Sequence, residues 1–172
     1  MSIYDASWED IVRIHTGYKI WDSTLRSISW VGRGANMPEA LSEAIVCKCV
    51  GAQLIRTGHG DILLPNGSIG EVKATSKSEG NDLSSFSPSS GFDHLYFVQP
   101  DADNLDCYLV FDLNMNRTQM EKVFVTQSQT FGEQASAGRR PRLSIKAQII
   151  EARGLMPTWR VNVLTHKVVP LG

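Results

Sequence analysis

The segment HGDILLPNGSIGEVKATS, residues 59–76, accommodates essentially one local structure. Two half-apolar runs flank Pro65-Asn66-Gly67. Proline suits the first central position of a type I turn and asparagine the second. Glycine suits the left-handed residue that completes a three-residue hairpin loop. This loop predicts Leu64 opposite Ser68, Ile62 opposite Gly70 and Asp61 opposite Glu71. A two-residue loop would set Asp61 against Val72, on the other face of the sheet. Lys73, two residues beyond Glu71, shares its face.

Charges at these positions need a reason. Opposed carboxylates with β-carbons ~5 Å apart repel as bare anions, which costs stability unless positive charge stands between them. A shared proton, Lys73 alone or a divalent metal would each relieve the repulsion. Mg²⁺ suits the geometry, because it is held by one or two carboxylates plus waters and substrate phosphates. An ion so placed orients and acidifies a water and neutralises charge on a phosphate oxygen. Lys73 would then orient that water or pair with the phosphate. An ordinary salt-bridged hairpin is the alternative reading of the same residues.

Around the hairpin the pattern is one of mixed elements. Ser7 and Asp10 cap a short helix over residues 8–16 that Gly17 stops, and a second amphipathic helix is expected from Lys19 to Val31. NMPEALSEAIVCKCVGAQLI predicts a long core helix capped by Asn36, with Pro38 in its first turn and Glu39 at the capping-box position. Its middle, Ala44 to Val50, is apolar on most sides, which makes Glu43 on that helix conspicuous. KSEGNDLSSFSPSSGFD reads as a Ser/Gly/Pro loop. Strands are expected at 94–98 and 107–112, a helix in LSIKAQIIEARG ended by Gly154, and a last strand in WRVNVLTHKVV. The order implies an α/β (α+β) fold, a mixed central β-sheet flanked by helices.

Composition sets the outer bounds. The 172 residues, 42% apolar and 20% charged, suffice for one domain with its own core. No run is apolar and long enough to span a bilayer and the N-terminus lacks a signal pattern, so no membrane association and a cytoplasmic location are expected. Cys47 and Cys49 have no second pair at zinc spacing and read as buried helix fillers. The net charge of −1 conceals an asymmetry: residues 1–116 hold 8 Lys/Arg against 15 Asp/Glu, residues 117–172 hold 9 against 3. The basic half is a candidate polyanion surface, with a solvated basic face as the plainer alternative.

Glu43, then Asp61, then Glu71-Val72-Lys73, on a helix–strand–turn–strand, resembles the core of the PD-(D/E)XK nucleases, and in particular small type II restriction endonucleases. The likeness covers residues 36–112. It departs from the family motif in one place: Gly60 stands where proline often precedes the first acid. The resemblance implies that Asp61 and Glu71 bind Mg²⁺, with Mn²⁺ able to substitute, and that the main-chain carbonyl of Val72 is a further ligand. It implies that Lys73 positions or polarises the attacking water. Glu43 would be an outer metal or water ligand, with Glu39 its substitute.

The implied reaction is metal-assisted hydrolysis of double-stranded DNA at a short specific sequence, leaving a 5′-phosphate and a 3′-hydroxyl. Lys77, Ser85 and Ser87 of the Ser-rich loop, and Arg139, Arg140 and Arg142 of GRRPR, are the candidate DNA contacts. The whole chain, 1–172, reads as a single nuclease domain. Within it the core is 36–112, the N-terminal helices (7–32) are assigned to subunit contact in a homodimer, and the basic part 117–172 to DNA contact. Two other classes stay open. One keeps the chemistry as a junction resolvase, a repair nuclease or a nuclease that reads methylated DNA. The other is a non-catalytic binding domain.

Overall fold

A computed structural model describes residues 2–57 and 59–172. In chain order the strands are β1 (Ile3–Tyr4), β2 (Gln53–Ile55), β3 (Ile62–Leu63), β4 (Ile69–Ala74), β5 (Ser84–Ser85), β6 (His94–Pro100), β7 (Cys107–Asp112), β8 (Phe124–Thr126), β9 (Gln129–Thr130), β10 (Arg142–Leu143), β11 (Trp159–Asn162) and β12 (Lys167–Pro170). The α-helices are α1 (Trp8–Ser27), α2 (Glu39–Val50), α3 (Arg117–Met120) and α4 (Phe131–Ser136), with a π-helix over Lys146–Glu151.

Eight strands form one sheet in the order β1-β2-β3-β4-β6-β7-β11-β12. Among the described residues only β4 and β6 pair in parallel; the other neighbours in this sheet are antiparallel. The sheet is mixed and flanked by helices, as expected. In β6 the run Leu95–Val98 is buried throughout, because side chains on both faces of this central strand are covered.

The two faces carry separate cores. Ile62, Val72, Tyr96, Val98 and Val110 pack with Leu41 and Ile45 of α2 and Ile11 of α1. On the other face, Leu95, Phe97 and Phe111 pack with Phe86, Phe92, Phe131 and Ile149. Strand alternation therefore puts Val72 under the helices and Glu71 and Lys73 on the opposite face. The Ser-rich loop, α3, α4 and the π-helix build the layer over that face.

Several local expectations are revised. Gly17 does not stop a helix, because α1 runs unbroken through it, and the segment beyond Ser27 turns instead of continuing to Val31. Burial explains this: Ile11, His15 and Tyr18 form one inward stripe across Gly17, and packing of such a stripe outweighs the modest helix cost of one glycine. The Ser7 cap is present, its hydroxyl accepting from the Asp10 N–H at 3.0 Å. Asn36 does not cap α2. Pro38 occupies the cap position with no side-chain bond, and Gly51 ends the helix at φ 68°. WRVNVLTHKVV is a hairpin, β11 and β12, rather than one strand. Its turn includes His166 at φ 57° and a Thr165 N–H bond to Asn162 at 2.9 Å. The Ser-rich stretch is not all loop, since β5 pairs with β10.

Cys47 is buried as expected and Cys49 is partly exposed. Burial pushes both thiols up to about 12, so both stay protonated at neutral pH.

Candidate active site

The loop Pro65-Asn66-Gly67 forms as read. The Gly67 N–H donates to the Leu64 carbonyl at 2.9 Å, Leu64 N–H to Ser68 at 2.9 Å, and Gly67 has φ 84°. Ile62 faces Gly70 and Leu63 faces Ile69, the register of the three-residue loop. Regular pairing ends there. The Asp61 N–H bonds back to Gly70 at 3.0 Å, and its carboxylate Oδ2 accepts the Val72 N–H at 2.7 Å. The expected pairing of Asp61 opposite Glu71 in the ladder is thus replaced by a side chain that takes over a ladder bond. Asp61 has its carboxylate locked between the two strands.

Glu71 is buried, and its two oxygens have different partners. Lys73 Nζ lies 2.7 Å from Oε1, and the Ser90 hydroxyl donates to Oε2 at 3.0 Å. Lys73 also lies over the Phe86 ring, 5.0 Å from its centre, so an aromatic face helps hold the ammonium. Burial, then the charge of Glu71, pushes the Asp61 carboxyl up to about 7; the Val72 hydrogen bond and Lys73 oppose this incompletely. One lysine does not compensate two desolvated acids. The pair is short of positive charge, which is the electrostatic condition for binding a cation.

The donors fit a hard divalent ion. Among the described residues no three His, Cys, Asp or Glu side chains converge closely enough to enclose a metal. Asp61 and Glu71 are the two carboxylates that stand together there. Carboxylate oxygens suit a hard cation such as Mg²⁺, whereas structural zinc sites favour Cys and His.

Glu43 is buried on α2, and its direct partner is Arg56, through an ion pair with Nη1. Burial still pushes its carboxyl up, against the pull of Arg56. Its charge also raises the Asp61 carboxyl, less than burial and Glu71 do.

A cleft of ≈ 650 Å³ opens beside Lys73, lined by Arg33, Asn36, Ser42, Lys77 and Ser85 among others. The two segments read as DNA contacts lie together, with Arg142 paired to Ser85 across β10 and β5 and the Phe86 N–H bonded to Pro141 at 3.1 Å. Arg139 bonds Gln129 Oε1 at 3.1 Å, and Ser87 bonds Ser89 at 3.2 Å. Arg140 and Arg142 are exposed. Much of the remaining basic half serves the fold. Lys146 and Arg153 donate to the carbonyls of Ser78 and Leu113, and Arg160 pairs with Asp101 at 2.6 Å.

A sequence profile described as Bsp6I restriction endonuclease matches residues 3–152. The chain belongs to the Bsp6I restriction endonuclease family. It is also 34% identical over 172 residues to the type II restriction enzyme Bsp6I of Bacillus sp. (strain RFL6), covering 99% of this chain and 97% of that enzyme. The resemblance read from Glu43, Asp61 and Glu71-Val72-Lys73 to type II restriction endonucleases is thereby borne out at the level of the family. The profile of the Bsp6I family covers β1 to the π-helix and stops before the β11–β12 hairpin, which adds Val161 and Val163 to the core under α1 and α2.

In this Bsp6I-family fold three contributors to the site had no signature in the sequence. Ser90 is one serine in a Ser-rich stretch, Arg56 stands 13 residues from its partner, and Arg33 lies in the α1–α2 connection. Charge opposite a conspicuous buried acid was the only available clue, and it applied to Arg56 alone.

Proposed function

We propose that the chain is a Mg²⁺-dependent type II restriction endonuclease that hydrolyses both strands of double-stranded DNA as a homodimer. Family membership supports restriction. The observation that carries the metal-dependent reading is the buried, under-compensated pair Asp61 and Glu71 beside Lys73.

Asp61 and Glu71, with the Val72 carbonyl, would hold the ion. When bound it supplies a positive centre for the phosphate oxygens and lowers the pKa of a water. Lys73, anchored between Glu71 and Phe86, orients that water and pairs with the charge developing on the phosphate. Glu43 acts at the periphery, its charge shared with Arg56. Direct attack by water yields a 5′-phosphate and a 3′-hydroxyl without a covalent intermediate. The backbone of the cut strand runs along the cleft beside Lys73, with Arg33, Lys77 and Ser85 at its walls. Arg139, Arg140, Arg142 and Ser87 face the groove or the neighbouring phosphates. The exposed Ile20, Trp21 and Trp30 supply the subunit contact, since one site cuts one strand and two-fold symmetry suits a palindromic sequence.

Incubation with plasmid DNA, with and without Mg²⁺, tests the reading. Discrete fragments are expected only with the ion and are lost in Asp61→Ala and Lys73→Ala. Absence of ion-dependent cutting on unmethylated and methylated DNA alike would overturn it. Sequencing the ends then checks the 5′-phosphate.

A further inference from the structure

We infer that Ser90, clamped by Arg117, is a positioning residue for Glu71 that holds the carboxylate in the orientation a divalent ion requires; this rests on the metal-dependent reading above. The carbonyls of Ser87, Pro88 and Ser90 converge on the Arg117 guanidinium at 3.4, 3.0 and 2.7 Å. The guanidinium is fixed from two further sides, by Glu121 at 3.1 Å and by the Phe131 ring at 4.6 Å. The Arg117 N–H donates to the Phe92 carbonyl at 3.0 Å, and the turn closes on itself through Ser90 N–H to Ser87 at 3.2 Å. One residue therefore pins the segment Ser87–Phe92 at four carbonyls.

This clamp has its consequence at the site. The Ser90 hydroxyl, carried by the pinned turn, is the group that reaches Glu71 Oε2, while Lys73 takes Oε1. A carboxylate has about four lone-pair directions, so one hydrogen bond on each oxygen orients it and leaves capacity for an ion. Groups that orient a metal-binding carboxylate without touching the metal typically change affinity by about 10–100-fold when lost. Arg117 is suited to the task by its planar fork, which a lysine cannot reproduce.

Calorimetric titration with Mn²⁺ alone, in the absence of DNA, reads the effect directly. Ser90→Ala and Arg117→Ala are expected to weaken binding by about tenfold, Ser90→Thr to retain it, and Arg117→Lys to fail to restore it. Arg153→Ala, which removes an arginine–carbonyl bond outside the Ser87–Phe92 turn, controls for general loosening and leaves the affinity unchanged. All variants are titrated at a temperature where circular dichroism shows them folded. In metal-free protein, hydrogen exchange at the Ser90 amide accelerates in Arg117→Ala while that of α2 does not. Wild-type binding with an unchanged or tighter Ser90→Ala overturns this inference alone, as does unchanged Ser90 exchange in Arg117→Ala. A wild type that takes up no Mn²⁺ overturns the metal-dependent reading as well.

Discussion

Asp61 shows how much a single side chain can be asked to do. Its carboxylate ends the β3–β4 pairing by accepting the Val72 N–H, and it is held next to Glu71 in a desolvated place. Its folded pKa of about 7 lies above the ordinary 3.8. Between these values the native state binds a proton that the unfolded chain releases. The resulting stabilisation is complete below the ordinary pKa and is lost as pH rises through about 7. With a chelator present, the melting temperature is therefore expected to fall between pH 5 and pH 8, as scanning calorimetry would record. Asp61→Asn keeps an acceptor for the Val72 N–H and should flatten that fall while abolishing cleavage. Burial pushes Glu43 in the same direction, so some slope remains in the variant.

Gly60, the neighbour of Asp61, stands where the PD-(D/E)XK motif that the sequence resembles often has proline, and its conformation does not admit one. It has φ +79°, and an added Cβ would collide with Ile69 Cγ2. Proline is fixed near φ −65° and cannot take this conformation. Gly60→Pro is expected to destabilise the fold by more than ~1 kcal/mol in urea denaturation and to move Asp61 off the Val72 N–H. Wild-type stability in that variant would show that the bend before the acid is not needed.

At the scale of elements, local signals were reliable where the structure is closed by local bonds. The hairpin turn, the Ser7 cap and the stop at Gly154 were all readable because each is satisfied within a few residues. Elements decided by distant packing were not. Gly17 carries a breaker's signature, yet α1 passes through it because His15 bonds the Tyr108 hydroxyl and Asp106 at 2.9 and 3.1 Å, and Tyr18 packs into the same core. Among the described residues, nothing beyond its chain neighbours and the helix's own backbone lies within 4 Å of where a Cβ on Gly17 would stand. Gly17→Ala should thus stabilise the protein by roughly 0.5–1 kcal/mol, measured as a higher urea midpoint with unchanged slope. A lower midpoint would mean the helix uses that glycine for something packing does not reveal. The β11–β12 hairpin was missed for a related reason: its turn is built around a positive-φ His166, a residue with little turn signal of its own.

At the scale of the whole molecule, the sheet separates two jobs. One face packs α1 and α2, and Ile20 and Trp21 of α1 and Trp30 of the α1–α2 connection are exposed at 64%, 56% and 85%. The other carries Glu71 and Lys73 beneath the layer that includes the Ser-rich loop and GRRPR. If the exposed apolar patch is the subunit contact, Ile20→Glu combined with Trp21→Glu converts a dimer to a monomer in sedimentation. The monomer should retain Mn²⁺ binding and lose concerted double-strand cutting. A wild type that sediments as a monomer with DNA present would dismiss the patch as the contact. Two segments expected to meet DNA, around Ser85 and Arg142, are far apart in sequence and hydrogen-bonded in the fold. Asp82 helps join them, accepting from Ser144 Oγ and the N–H groups of Ile145 and Lys146 at 2.9, 3.1 and 3.0 Å.

The amino-acid sequence by itself determined the turn, and through it the register that carries Asp61 to the edge of Glu71 and Lys73, because a three-residue loop admits one pairing. It also determined the mixed fold class, because helical and strand periods alternate along the chain. Only the tertiary structure decided what surrounds the acids. Arg56, Phe86 and Ser90 meet Glu43, Lys73 and Glu71 across 13, 13 and 19 residues of chain, and Arg117 meets Ser90 across 27; no local period or turn rule encodes such meetings. They follow from which faces of the sheet the two cores cover, which is settled by burying the whole apolar surface at once.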